Sequence, residues 1–361
     1  MTNPLKRALG RVERAIDHGK AGLKSRLGLF GVPEVQVFRG HGTQTRLRLT
    51  GRVVEETGIR DVGPDVGHLR TVLNTVRRME SDEMPGARLR VSVCGVEAET
   101  ETDAEGFFAL DLECRGAAAG WHEARVELLS SPSRHPAAPA TGEVLVVEAD
   151  CGLGIVSDLD DTVIATGARN KLTHTRILLV RDALEQVAFP GVAEFYRLLM
   201  RGPDGNGRHP VFYVSRSSWG LYDLFVDFME AHDVPRGPMF LMDAAVIEEK
   251  SAALGHENHK LETLAEILDT HARMRLVLIG DSGQHDPEAY LEAVRRWPDR
   301  IRAVYLRDVT GRKRDREVKR LVQDIERLGV PAAACETTGA MAVHAEQLGL
   351  IPPGSAATID R

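Results

Sequence analysis

Between residues 4 and 30, Leu5, Leu9, Val12, Ile16, Leu23, Leu27 and Phe30 recur mostly at spacings of three or four. That period predicts a helix with one apolar face. Pro4 suits its first turn, while Gly10, Gly19 and Gly22 each weaken it by up to about 1 kcal/mol. From residue 35 the rhythm shortens. VQVFRG (35–40), RLRLTGRVVEE (46–56), RLRVSVCG (88–95), GFFALDLEC (106–114), WHEARVELL (121–129) and GEVLVVEA (142–149) alternate or cluster β-branched and aromatic residues between turn residues. Short strands so spaced predict a β-sandwich-like domain. One helix interrupts them, with Leu69, Val72, Leu73, Val76 and Met79 on one face. TDAEGFF (102–108) reads as a turn into a strand, with Gly106 free to take a positive φ. SSPSRHPAAPATG (130–142) reads as a loop.

After residue 150 strands alternate with helices. GLGIVSD (152–158), PVFYVS (210–215), PMFLM (238–242), MRLVLIGD (274–281) and IRAVYLRD (301–308) are nearly unbroken apolar runs. Helical patterns such as VAEFYRLLM (192–200), LYDLFVDFME (221–230) and KLETLAEILDTH (260–271) lie between them. Strands buried on both faces and joined by helical crossovers predict an α/β domain with a Rossmann-like parallel sheet. The chain therefore divides into a helix at 1–30, a β-rich accessory domain at 31–150 and an α/β domain at 151–361. Its 361 residues suit two domains and a large core.

Charge adds one feature. The chain carries −7 overall, yet residues 1–30 hold seven basic side chains against two acidic ones, so a +5 segment precedes a −12 remainder. The basic helix has three readings: packing on the β-rich domain, oligomerisation, or contact with an anionic membrane surface. Mild acidity argues against a nucleic-acid partner. The N-terminus lacks the apolar run of a secretory signal, no run of about 18 apolar residues exists, and Cys94, Cys114, Cys151 and Cys335 form no CxxC pair. Together these point to a cytoplasmic protein, with peripheral membrane contact under the third reading. No motif sets the oligomeric state.

Three apolar strands end in polar residues: GIVSDLDDT (154–162), FYVSRSSW (212–219) and VLIGDSGQHD (277–286). Ligands of open α/β sheets bind outside the carboxyl ends of the strands, so Asp158, Ser215 and Asp281 converge from three strands. Asp158, Asp160 and Asp161 crowd negative charge, which a divalent cation relieves. Mg²⁺ takes oxygen ligands, with one or two carboxylates from the protein, and Asp281 is the natural second ligand. A carboxylate can attack phosphorus, and a second one two residues on can move the protons. Ser215 supplies a hydroxyl, and Lys260, at a helix start, supplies positive charge.

These motifs, in this order, resemble the four motifs of the haloacid-dehalogenase superfamily of phosphatases. The resemblance implies Asp158 as nucleophile, Asp160 as acid/base, Ser215 and Lys260 as phosphoryl contacts, and Asp158, Asp281 and the Asp160 carbonyl as Mg²⁺ ligands. A narrower match resembles the actin-patch-type, lipin-related phosphatidate phosphatases and their bacterial members. It is carried by SDLDDTV, YVSRSSWGLYDLF, HKLETLAEIL and LIGDSGQHDPEAY, with RRMESDEMPGARLRV (77–91) upstream. It implies phosphatidate or a related phospholipid as substrate. One departure follows Ser215: the family pattern has Asn-Ser-Pro-Trp where this chain has Arg216-Ser217-Ser218-Trp219, which bears on substrate preference.

Other readings stand beside these. The rivals are a phosphatase of a soluble phosphomonoester or a phosphoprotein, and a non-catalytic membrane-binding scaffold. Thr162 supports its loop or touches phosphate, and Arg216 is a further substrate-contact candidate. Asp161 is a helix-start residue, His259 and His285 are loop residues, and Lys250 is a rival to Lys260. Asp286 either orders Lys260 and the metal site or caps the helix before Pro287. Trp219 contacts substrate or packs in the core. Short gaps between motifs leave no room for a full cap domain, so the site is open, with residues 165–188 as its flap and Arg169, Lys171 and Arg176 near the entrance.

Overall fold

The computed structural model describes residues 30–56, 82–160, 162–163, 188–242, 255–283, 285–309 and 314–359. Outside them lie the expected helix at 4–30 (all but Phe30), the helix at 69–79, Asp161, Lys250, and the 165–188 flap except Ala188. The described residues fall into two compact units that meet in sequence between Ala149 and Asp150.

The first unit holds β1 (Pro33–Val37), β2 (Gly40–Thr43), β3 (Arg46–Glu55), β4 (Arg88–Val93), β5 (Val96–Glu101), β6 (Phe107–Glu113), β7 (Gly120–Ser130) and β8 (Ala140–Val147). They form one hydrogen-bonded sheet, ordered β1-β3-β2-β8-β7-β4-β5, with β6 paired to β3. Every pair is antiparallel except β2 with β8. Strand alternation puts Leu47, Leu49, Val53, Leu89, Val91, Val126, Val144 and Val146 into one buried cluster. Gly106 takes φ 74° in the turn before β6. The turn between β4 and β5 is two residues long, and both, Cys94 and Gly95, have positive φ. That twist matches a tight hairpin.

The second unit is built on six parallel strands: β9 (Leu153–Asp158), β10 (Val211–Ser218), β11 (Met239–Met242), β12 (Arg275–Asp281), β13 (Ile301–Arg307) and β14 (Ala332–Cys335). Their order is β11-β10-β9-β12-β13-β14. The chain winds outward from β9 in one direction, then returns beside β9 and winds outward in the other. Between β9 and β12 lies the switch point where such sheets bind ligands. The helices are α1 (Val192–Arg201), α2 (Tyr222–Ala231), α3 (Gly255–Thr270), α4 (Asp286–Arg296), α5 (Asp315–Arg327) and α6 (Thr338–Gln347). Ile155, Val156, Phe212, Tyr213, Val277, Leu278, Val304 and Tyr305 are all buried along the strands, as expected for a sheet covered on both faces. All four cysteines are free thiols. Among the described residues, no helix is long and apolar enough to cross a membrane.

Candidate active site

The polar strand ends meet where the topology switches. Asp158 ends β9 and Asp281 ends β12, and both strands lie side by side in parallel register. Asp286 opens α4, with Pro287 in its first turn. Asp158, Asp281 and Asp286 are buried, and one carboxylate oxygen from each lies within 4.8 Å of the others.

Lys260, buried on α3, is held among these acids. Its Nζ donates to Asp158 Oδ1 at 2.6 Å and to Asp286 Oδ1, and sits 5.9 Å from the centre of the Tyr290 ring. Burial opposes its charge, but Asp158 and Asp286 outweigh that and raise its pKa. Asp158 behaves otherwise. Burial pushes its carboxyl well above the usual range, Lys260 pulls it back, and Asp286, Asp160 and Asp281 push it up again. Two of the three buried carboxyls therefore share one ammonium, and among the described residues the site is short of positive charge.

Asp286 does two jobs. One oxygen takes the lysine; the other accepts the Asp281 N–H at 3.2 Å. It thereby ties Lys260 to the loop that carries Asp281. Gly280 makes this approach possible, because a Cβ there would run into Asp286 Oδ2 and the Tyr290 ring. The Asp281 carboxylate in turn accepts the Gly283 N–H at 2.5 Å.

Asp160 faces a different group. Its Oδ2 accepts the Ser215 hydroxyl at 2.7 Å and the Ser217 hydroxyl at 3.3 Å. The Ser217 N–H donates to Ser215 Oγ at 3.0 Å, which aims the Ser215 hydrogen at Asp160. The carboxylates are thus divided: one group clusters around Lys260, and one is presented by hydroxyls. Ser215 and Ser217 share a side, so strand alternation puts Arg216 on the other, and no contact joins it to these groups among the described residues. Thr162 is fully buried, and its hydroxyl has no hydrogen-bond partner among the described residues.

Comparison with known proteins bears on this arrangement. Residues 153–308 match the family described as "Phosphatidate phosphatase APP1, catalytic domain". The match to the APP1 catalytic domain takes in β9 through β13 and every residue singled out above. Phosphatidate phosphatase APP1 of Saccharomyces cerevisiae is 31% identical over 157 residues, which cover 43% of this chain and 26% of that protein. An uncharacterized Schizosaccharomyces pombe protein is 28% identical over 226 residues, covering 59% of this chain and 35% of its own. The chain thus spans about a third or less of these relatives. Among solved structures, a carbohydrate acetylesterase from Xanthomonas citri aligns over 84% of this chain and 69% of its own, at 12% identity and TM-score 0.35. That likeness is too low to bear on the fold.

Within the residues that match the APP1 catalytic domain, the structure brings together Asp158, Lys260 and Asp281, and separately Asp160 with Ser215. Ser217 carries no role in the sequence reading, although its place two residues after Ser215 on an extended strand puts it on the same side. Ser157 and Tyr196 carry no sequence signal either. Ser157 precedes the nucleophile candidate inside an apolar run, and Tyr196 looks like one more apolar position of α1.

Proposed function

We propose that this chain is a Mg²⁺-dependent phosphatase that hydrolyses phosphatidate or a related phospholipid through an aspartyl-phosphate. The observation that carries the reading is the split of the carboxylates. Asp158 lies with Asp281, Asp286 and Lys260, while Asp160, two residues on, is presented by Ser215 and Ser217. The APP1 match supports the substrate.

Three buried carboxyls against one ammonium fit a divalent cation, with Asp158, Asp281 and the Asp160 carbonyl as the residues that would hold it. When bound, the cation would offset the charge of the phosphoryl group and of the acids around it. The chain's own residues do the rest. Lys260 orients Asp158 and neutralises part of the phosphoryl charge. The Asp158 carboxylate attacks phosphorus, the bond to the ester oxygen breaks, and Asp160 gives that oxygen its proton. Water then attacks the phosphorus of the aspartyl-phosphate, Asp160 takes the proton, and Asp158 leaves as carboxylate. Ser215 and Ser217 hold the Asp160 carboxylate in place for both transfers. Thr162, whose buried hydroxyl has no hydrogen-bond partner among the described residues, is the further substrate contact, and Arg216, on the other side of its strand, has no part in this assignment.

We read residues 151–361 as a haloacid-dehalogenase-like domain and 31–150 as a β-sandwich-like accessory domain. For residues 1–30, which carry a net +5, contact with an anionic membrane surface stands beside packing and oligomerisation. The test compares phosphate release from phosphatidate in mixed micelles with a panel of soluble phosphomonoesters, with Mg²⁺ and with a chelator. Asp158→Asn is expected to abolish release, and the chelator to suppress it. Full activity in Asp158→Asn would refute the mechanism, and no preference for the lipid would refute the substrate.

A further inference from the structure

Behind the nucleophile lies a buried hydrogen-bond chain. Ser157 Oγ donates to the Asp158 carbonyl oxygen at 2.7 Å, and lies 2.6 Å from the Tyr196 hydroxyl. A serine hydroxyl has one hydrogen. Because that hydrogen goes to the carbonyl, Tyr196 must be the donor to Ser157. The direction is therefore fixed: Tyr196 O–H to Ser157 Oγ, and Ser157 O–H to the Asp158 carbonyl. Ser157 and Tyr196 are 0% exposed and Asp158 is 4% exposed, so water does not compete for these bonds. Burial raises the Tyr196 pKa, and the bond to Ser157 only partly offsets this, so the phenol keeps its proton.

The carbonyl that receives this chain belongs to the peptide joining Asp158 to Leu159. A peptide is planar, so fixing its oxygen fixes the plane and the direction in which the Asp158 backbone leaves β9. Two elements set that direction. Ser157 belongs to β9, and Tyr196 to α1, whose ring also packs against Phe195 and Tyr213. A hydroxyl that only filled space would need neither the order nor the direction of these bonds.

We propose that Tyr196 and Ser157 are positioning residues that aim Asp158 at phosphorus from behind, with Tyr196 acting through Ser157. This assignment rests on the phosphatase reading above. Misplacing a reacting group by about 1 Å costs on the order of 100-fold in rate, so small rotations of this peptide matter. Neither residue meets the substrate, so their loss appears in kcat and leaves KM unchanged.

The experiment uses the full chain, with Mg²⁺ and phosphatidate in mixed micelles, and compares wild type, Asp158→Asn, Tyr196→Phe, Ser157→Ala, Ser157→Thr and the double variant Tyr196→Phe/Ser157→Ala. Tyr196→Phe removes one oxygen and keeps the ring packing, so its folding is not at issue. Expected are kcat losses of about tenfold for Tyr196→Phe and about 10- to 100-fold for Ser157→Ala, with KM within about twofold. Ser157→Thr, which keeps the hydroxyl, recovers most of the rate. The double variant is no slower than Ser157→Ala alone, since two members of one chain are not additive. Wild-type kcat in Tyr196→Phe would overturn the proposal, as would additive losses or a rise in KM that accounts for the loss. If Asp158→Asn is dead while Tyr196→Phe matches wild type, only the positioning chain falls. If Asp158→Asn stays active, the phosphatase reading falls with it.

Discussion

Asp158 shows how one residue is made costly in order to be useful. Burial and three neighbouring acids raise its pKa well above the ordinary carboxyl range, and Lys260 offsets only part of this. The raised direction sets the sign of the linkage. This carboxyl favours folding fully below its unfolded pKa, and that contribution is lost as pH rises through the folded pKa. Ionising Asp158 in the metal-free protein therefore places a charge where the interior opposes it, and a cation that binds the ionised form relieves it. Thermal melts taken from about pH 5 to about pH 8 are expected to show a Mg²⁺-induced rise in Tm that grows with pH. In Asp158→Asn that growth should be lost. A Mg²⁺ shift independent of pH in the wild type would show that Asp158 is not a ligand.

Among the elements, β12 and α4 meet more closely than any side chain on β12 would allow. Gly280 is the second-last residue of β12, and a Cβ there would press on Asp286 and Tyr290. Gly280→Ala should therefore move Asp286, and with it both Lys260 and the Asp281 N–H. The expected outcome is a loss of phosphate release on the order of 100-fold, with a stability loss of about 1–3 kcal/mol from overpacking. Steady-state kinetics and urea unfolding measure the two; unchanged kcat would separate Gly280 from the site. Nothing in the sequence singles out Gly280, since its need comes from a helix that arrives from elsewhere in the fold. Other elements were legible to different degrees. β9, β10, β12 and β13 stand out because burial on both faces leaves unbroken apolar runs. β5 does not, because Glu97, Glu99 and Glu101 face outward and only Val96, Ala98 and Thr100 lie on the other side. β14 is Ala332–Cys335, AAAC, whose alanines carry little strand preference. Asp158, Asp160 and Asp281 are legible because each sits at or just past the end of an apolar strand, and Ser215 and Lys260 because each borders an apolar run, although β10 continues to Ser218 and α3 begins five residues before Lys260. Ser217 and Tyr196 are not legible, since their meaning depends on which strand and helix lie beside them.

At the scale of the whole molecule, the proposed lipid phosphatase activity raises a question of charge: how a chain of net charge −7 would meet an anionic lipid. The four acids of the site attract a cation but repel an anionic surface that comes within about a Debye length, roughly 8 Å at physiological salt. Residues 1–30 carry the compensating +5, and basic residues close to an anionic leaflet contribute about 1 kcal/mol each. Even a fraction of that is enough to change the local concentration of enzyme at a bilayer several-fold. Deleting residues 1–30 should therefore lower co-sedimentation with anionic liposomes at low salt and leave little difference at high salt. It should also raise the apparent KM for phosphatidate in anionic vesicles, while hydrolysis of any soluble phosphomonoester the enzyme accepts stays unchanged, because Asp158, Asp160, Ser215, Lys260 and Asp281 all lie elsewhere. Equal binding by both forms at both salt concentrations would assign the basic segment to packing or oligomerisation instead. A parallel loss on the soluble substrate would show that the segment supports the catalytic domain itself.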